Sequence, residues 1–324
     1  MFVITYRKLL LTIAAVVMVG SAIIISALGL NLGLDFTGGS LTEVSYEAAP
    51  SKETVEETVG GFGFAEYSVR ASVDESGKDT YFIRTQDLTD EQRGELVEAV
   101  TQIGEGGEVT RFTSIGPVIG EELRGKAGWA IFGVVSIIVL YVAFAFAGIG
   151  TPVSSWMYGA ITIFVLIHDV LVPTALMSIL GYTFGVEVDV LFVMALLAVL
   201  GYSVNDTIVV FDRVRENLTK NRTEHRKKHT EPGGLVREEV TYTLTKPYDE
   251  IVGSAVSETM ARSINTSVTT LVVLLGLYFF GGSVTQTFAL VLLAGVLAGT
   301  YSSICIASPL VVTYAMYKAA KKTK

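Results

Sequence analysis

From Ala127 to Asp212 the chain carries no lysine or arginine, and it carries none again from Ser263 to Tyr317. A water-soluble fold distributes such charges along its whole length. A chain that withholds them over long runs is suited to a medium that does not solvate charge. Six apolar stretches fall at about 9–28, 129–147, 156–180, 189–211, 263–281 and 286–313. Each is close to the ~20 residues a helix needs to cross ~30 Å of hydrocarbon. Composition agrees, since 50% of residues are hydrophobic and 17% charged, the latter well under the usual ~25%. The expectation is a polytopic α-helical membrane protein that takes the lipid bilayer as its solvent. Arg7 and Lys8 before the first stretch would also suit a secretory signal. Its apolar run of ~20 residues exceeds the usual 7–15, so it reads as an uncleaved span. Cys305 is the single cysteine, which leaves no internal disulfide and argues against redox chemistry.

Basic residues set the expected orientation. Arg7 and Lys8, the segment after span four with Arg213, Arg215, Lys220 and Arg222, and the tail with Lys318, Lys321, Lys322 and Lys324 all fall on one side of a six-span chain. That side is expected to be the cytoplasm, with both termini in it. The expected division is 1–28 for the cytoplasmic N-terminus and first transmembrane helix, and 29–126 for an extracytoplasmic α+β domain between spans one and two. Residues 127–317 hold transmembrane helices two to six, with a cytoplasmic loop 212–261, and 318–324 form a basic cytoplasmic tail.

Residues 31–126 are a different kind of sequence, with 19 of the 32 acidic residues. "SLTEVSYEA" alternates apolar and polar side chains as a strand with one buried face does. Ser51 suits the cap of a short helix 52–60 that stops at Gly60 and Gly61. "EYSVRASV" and "DTYFIRTQ" suit a hairpin around "DESGK". Thr89 and Gln92 form a capping box for a helix to about Ile103, and "EVTRFTSIG" is a last strand. The order β-α-β-β-α-β predicts a ferredoxin-like unit.

Residues 218–250 form a second polar segment, basic and then acidic, with Pro232-Gly233-Gly234 in its middle. It reads as a solvated, partly disordered loop. Arg226-Lys227-Lys228 would suit anionic lipid or a cytosolic partner. His225 and His229 stand four apart and would share a helix face, but no cysteine or further ligand accompanies them, so metal binding is not favoured.

The sharpest anomaly is "GYSVNDTIVVF" (201–211), which puts Asn205 and Asp206 inside an apolar helix. An ionised carboxylate in hydrocarbon costs roughly 3 kcal/mol on insertion scales and more in simulations. Span five enters as "MARSINTSVTT". Helical spacing stacks Arg262, Thr266 and Thr269 on one face, with Ser263, Ser267 and Thr270 beside them and Asn265 in the same patch. Arg262 lies at nearly the depth of Asp206, so a pair between them is expected, either as a static aid to insertion or as a proton or ion relay. Asp169, after His168 in span three, lies roughly 10 Å away along the normal by helical rise. That is too far for two carboxylates sharing a proton, as an intramembrane aspartyl protease requires. Gly295 and Gly299 suit close helix packing, more readily inside the chain than between chains.

At these residues the chain resembles the SecF family of protein-export membrane proteins. "LGLDFTGGS" (32–40), containing Asp35, Gly38 and Gly39, is similar to the family's motif after the first span. "GYSVNDTIVVFDRVREN" (201–217) and "RSINTSVTTLVVLLGLYFFGG" (262–282) resemble its fourth- and fifth-span motifs. The family usually joins the last two by a shorter loop. The resemblance implies half of an RND-superfamily bundle, and a non-enzymatic subunit that works with SecD beside the SecYEG translocon. There the proton-motive force would draw a preprotein across the plasma (inner) membrane of a bacterium or archaeon. It also implies that Asp206 and Arg262 carry the proton relay, with Asn205, Asn265, Thr266, Thr269 and Asp169 in support. No cofactor, metal, nucleotide or nucleic-acid motif occurs. An RND-type exporter of lipids or small molecules, and a purely structural membrane subunit, are the alternatives.

Overall fold

The computed structural model describes residues 2–73, 77–146, 152–230 and 236–322. A short helix α1 (Phe2–Thr5) leads into α2 (Arg7–Leu28). A helical turn, α3 (Leu34–Thr37), precedes β1 (Gly39–Tyr46), α4 (Lys52–Gly60), β2 (Tyr67–Val73), β3 (Asp79–Thr85), α5 (Asp90–Gln102) and β4 (Glu108–Ile115). Then come α6 (Pro117–Ala145), α7 (Ser155–Phe184) and α8 (Val190–Lys220), followed by β5 (Arg222–Thr230) and β6 (Val236–Leu244). The chain ends with α9 (Tyr248–Phe280), α10 (Ser283–Ser302), a π-turn (Ser303–Ala307) and α11 (Ser308–Lys322). Among the described residues, six helical segments are long and apolar enough to cross a membrane: Arg7–Leu28, Pro117–Ala145, Ser155–Phe184, Val190–Lys220, Tyr248–Phe280 and Thr285–Lys321. They run past the apolar stretches, because a helix continues through its polar ends until its backbone is capped.

The chain divides into two compact units, Asn31–Ala130 with Glu187–Val190, and the remaining helices. The smaller unit is a four-stranded sheet in the order β2-β3-β1-β4, all neighbours antiparallel. With α4 and α5 as crossovers this is the interleaved pair of split βαβ units that the β-α-β-β-α-β pattern predicts. The caps fall where the sequence puts them. Ser51 accepts from the Thr54 amide, and Thr89 and Gln92 close a reciprocal capping box. Val44, Tyr46, Ile83, Val55, Val59, Leu96 and Val100 form the core between sheet and helices. The buried Tyr46 hydroxyl donates to the Val100 carbonyl at 2.6 Å. Burial, then the neighbouring Tyr81, push its phenol up to about 12.

In the larger unit the polar segment 218–250 differs from expectation. α8 runs on to Lys220, and Arg222–Thr230 pairs with Val236–Leu244 as an antiparallel hairpin. The register sets Lys227 opposite Glu239 and Lys228 opposite Glu238 along the backbone. The strands of this hairpin carry charged residues in place of an alternating apolar face, which is why hydrophobic patterning passed it over. In this strand the backbones of His225 and His229 stand ~13 Å apart by strand rise, so the shared helix face suggested for a metal does not exist. Pro232, Gly233 and Gly234 lie outside the described residues. The basic tail is also ordered at its start, because α11 continues through Lys321 and Lys322. Cations there complement the helix dipole.

Two helix irregularities matter for the site. Pro173 lies inside α7 and, having no N–H, cannot bond the Asp169 carbonyl four residues back. Pro309 likewise cannot bond the Cys305 carbonyl. There the backbone widens into the π-turn Ser303–Ala307, and the Ser308 hydroxyl donates to the Ser303 carbonyl at 3.4 Å. Such turns re-aim the side chains they carry.

Candidate functional site

The motif at 32–40 is architectural in the smaller unit. Gly38 and Gly39 have φ of +70° and +111°, a backbone that side chains rarely adopt. A β-carbon at Gly38 would meet Pro117 Cα at 2.8 Å, and one at Gly39 would meet the Thr85 carbonyl oxygen at 2.5 Å. Asp35 accepts from the Val190 amide at 2.9 Å, and the Gly33 amide donates to Val188 at 2.8 Å. Arg84 ties the Leu32 carbonyl to Glu187 at 3.1 and 3.2 Å. Burial pushes the Glu187 carboxyl above its usual range, with Arg84 and Arg70 pulling it back. A cavity of about 640 Å³ opens beside this turn, lined by Thr37, Gly38, Gly39, Tyr67, Arg70 and Arg84 among others.

The ionisable site lies in the helical unit. α8 buries the stripe Val199, Ser203, Asp206, Val210 and Val214, spaced three or four apart as one helix face requires. Asp206 is 8% exposed. Its two oxygens accept from Ser263 of α9 at 2.5 Å and from Ser303 at 2.6 Å. One turn along α9, Ser267 accepts from Tyr202 at 3.0 Å and from Thr300 at 2.7 Å. The close approach of α10 to α8 depends on Gly295 and Gly299. β-Carbons there would meet Val199 at 2.1 Å and Ser203 at 3.0 Å, so this glycine pair packs within the chain.

Asp169 sits in a second polar cluster. Asp169 and His168 are both 0% exposed. Asp169 Oδ1 faces His168 Nδ1 at 2.8 Å, while Oδ2 accepts from Ser302 at 2.8 Å and from Ser203. Tyr301 reaches the far ring nitrogen, Nε2 of His168.

A family model described as protein export membrane protein SecD/SecF, C-terminal, matches residues 95–232 and 235–317. The SecD/SecF GG motif matches residues 23–50. The protein translocase subunit SecF of Sebaldella termitidis is 33% identical over 90% of this chain and 84% of that one. That of Anaerolinea thermophila is 34% identical over 95% and 92%. The chain belongs to the SecF family. The crystal structure of SecDF from Thermus thermophilus, described as a translocon-associated membrane protein, superposes with a TM-score of 0.76 at 31% identity. The match covers 96% of this SecF-family chain and 38% of that longer one.

The expected pair between Asp206 and Arg262 is not formed. Arg262 is exposed, and no described carboxylate lies within ion-pair distance of it. Depth was not the obstacle; rotation was. Consecutive helix residues point ~100° apart, and Ser263, the next residue, is the one that faces Asp206. The stack of Ser263 and Ser267 turns inward, while Arg262, Asn265, Thr266 and Thr269 form the exposed stripe beside it. Thr266 and Thr269 return their hydroxyls to their own helix backbone. Asn205 is exposed as well. Asp169 lies nearer Asp206 than helical rise suggested, since it reaches Ser203, one turn before Asp206. No hydrogen bond joins the two carboxylates, so the shared proton of a protease dyad is missing here. Sequence reasoning named His168 only as the neighbour of Asp169 and missed Ser203, Ser302, Ser303 and Tyr301. Their signal was present in hydroxyls spaced along the buried stripes of apolar helices.

Proposed function

We propose that the chain is a SecF-type subunit of a protein-export machine, in which protons crossing the membrane through Asp206 drive preprotein movement. The observation that carries this is a buried carboxylate held by two neutral hydroxyls, with no countercharge paired to it among the described residues. A serine hydroxyl donates to a carboxylate and accepts from a carboxylic acid equally well. The site can therefore gain or lose a proton without rebuilding its contacts, whereas a buried arginine pair would hold the charge fixed. The work is transport rather than catalysis of a covalent change.

Arg262 and the polar stripe of α9 support a partner. Arginine facing hydrocarbon costs roughly 3 kcal/mol, and that cost falls if a second membrane subunit covers the stripe. The fused SecDF relative makes SecD the natural occupant, working beside the SecYEG channel. The basic segments suit a cytoplasmic side for both termini and for the β5–β6 hairpin. The sheet unit, which follows the first span in sequence, then lies on the opposite side. Segment Glu187–Val190 belongs to the sheet unit, as a shared side requires.

Asp206→Asn tests the reading, because it keeps the size and both serine contacts but cannot ionise. Proton-dependent secretion should be lost with the protein inserted at near-normal levels. Secretion and proton flux unchanged in that variant would make Asp206 structural.

A further inference from the structure

We propose that His168 and Asp169 form a second proton-holding station, coupled to Asp206 through Ser203, Ser302 and Ser303. The inference rests on the proton-driven reading above. Every polar atom of the pair is accounted for. With His168 Nδ1–H donating to Asp169, Nε2 is the acceptor for the Tyr301 hydroxyl, so one tautomer satisfies the whole chain of contacts. Asp169 keeps two hydroxyl donors on its other oxygen, one from α8 and one from α10. Consecutive residues Ser302 and Ser303 send one hydroxyl to each carboxylate, and they do so at the start of the π-turn. On α8, Ser203 contacts Asp169 and lies ~4.5 Å along the axis from Asp206. Two ionisable sites are thus held by the same two stretches of backbone.

Among the described residues no other charge pairs with His168 or Asp169. α2 packs against α7 and has no titratable side chain from Leu9 to Leu28, and α10 offers only Tyr301. α8 offers Asp206 and Tyr202, its other ionisable groups, Asp212, Arg213, Arg215, Glu216 and Lys220, following Asp206 towards the helix C-terminus, and the π-turn offers Cys305. α11 has only Tyr314, Tyr317 and its terminal lysines. α9's Arg262 is turned outward.

Uptake of one proton leaves the pair neutral, as carboxylic acid with imidazole or as carboxylate with imidazolium. Transfer of that proton to ionised Asp206 restores the Asp169 carboxylate and conserves charge. Pro173 adds a further detail, because the Asp169 carbonyl lacks its usual helical donor and the α7 backbone can yield there.

The test uses the full chain in membrane vesicles. Dicyclohexylcarbodiimide, which adds to protonated carboxyl groups in apolar surroundings, is applied across a pH series and the adducts are located by peptide mass. Adduct is expected on Asp169, and Asp206→Asn should displace its pH profile by about one unit or more, the strength at which two sites titrate as one system. Ser302→Ala, which deletes only the hydroxyl that this residue gives Asp169, should displace it too and serves if Asp169→Asn does not insert. An Asp169 that is unmodified at every pH, or a profile indifferent to both substitutions, overturns the station. Proton uptake separates the two readings. Loss in Asp206→Asn with Asp169→Asn unaffected removes the station and leaves the proton-driven function standing. Unaffected uptake in both variants removes the function and the station together.

Discussion

Gly295→Ala should damage the site from a distance. The added β-carbon would lie 2.1 Å from Val199 Cγ2 and 2.7 Å from Cγ1. Ordinary carbon contacts sit at about 3.5–4.0 Å, so the approach is roughly 1.5 Å too close. Val199 is fully buried, and a helical valine is confined almost entirely to one rotamer, so it cannot swing aside. α10 must move, and overpacking of this kind costs about 1–3 kcal/mol. Ser302 and Ser303 follow two turns later, with bonds of 2.8 and 2.6 Å to the two carboxylates. Each of these hydrogen bonds that the shift opens leaves a buried polar group without its partner, which adds about 1–3 kcal/mol. The assay is a double-mutant cycle with Val199→Ala, which removes both offending methyls, read by denaturing-detergent titration of the purified chain. Gly295→Ala and Val199→Ala should each destabilise alone, and the double variant should be more stable than their sum predicts by about 1 kcal/mol or more. Strict additivity, or a neutral Gly295→Ala, would refute the claim that this glycine sets the approach of α10 to α8.

Two further expectations concern the smaller unit. Burial raises the Glu187 carboxyl above its ordinary value of 4.5. A folded-state carboxyl that holds its proton more tightly than the unfolded chain contributes stability at acid pH, and loses it as pH rises past 4.5 and through the higher folded value. The thermal midpoint of Glu187→Gln should therefore fall less than that of the parent across that window, and parallel curves would contradict the linkage. Glu91 is exposed in the first turn of α5, so Glu91→Cys in a Cys305→Ser background should, in the proposed orientation, react with a membrane-impermeant thiol reagent applied from the side opposite the termini. Labelling only after lysis would reverse the proposed orientation.

What the sequence made legible followed from strong local rules. Absent lysine and arginine mark the spans because charge in hydrocarbon is costly. The capping box at Thr89 and Gln92, and the alternation of β1, mark the sheet unit because a single helix end or sheet face determines them. The hairpin β5–β6 escaped because its strands carry charge where patterning looks for an apolar face. Within the spans, Asp206 and Asp169 were visible as cost and Ser263 as part of a polar patch, while Ser203, Ser302 and Ser303 were not. Serine in an apolar helix is inexpensive and unremarked until the rotation of each helix is known, and rotation is set by packing. Gly295 and Gly299 against Val199 and Ser203 set the rotation of α10, and through it the aim of Ser302 and Ser303.

The same rotation explains why the strongest charge was misassigned. Two polar stacks run side by side through the middle of α9, and the sequence distinguishes them only by chemistry. Pairing Arg262 with Asp206 satisfies two costs at once, so it is the natural choice when one chain must solve its own electrostatics. The fold instead gives the small neutral hydroxyls to the buried carboxylate and leaves the guanidinium on the outer face. That division suits a group whose charge must change, since hydroxyls accept either protonation state, and it leaves to a neighbouring surface the cost of the group whose charge never changes.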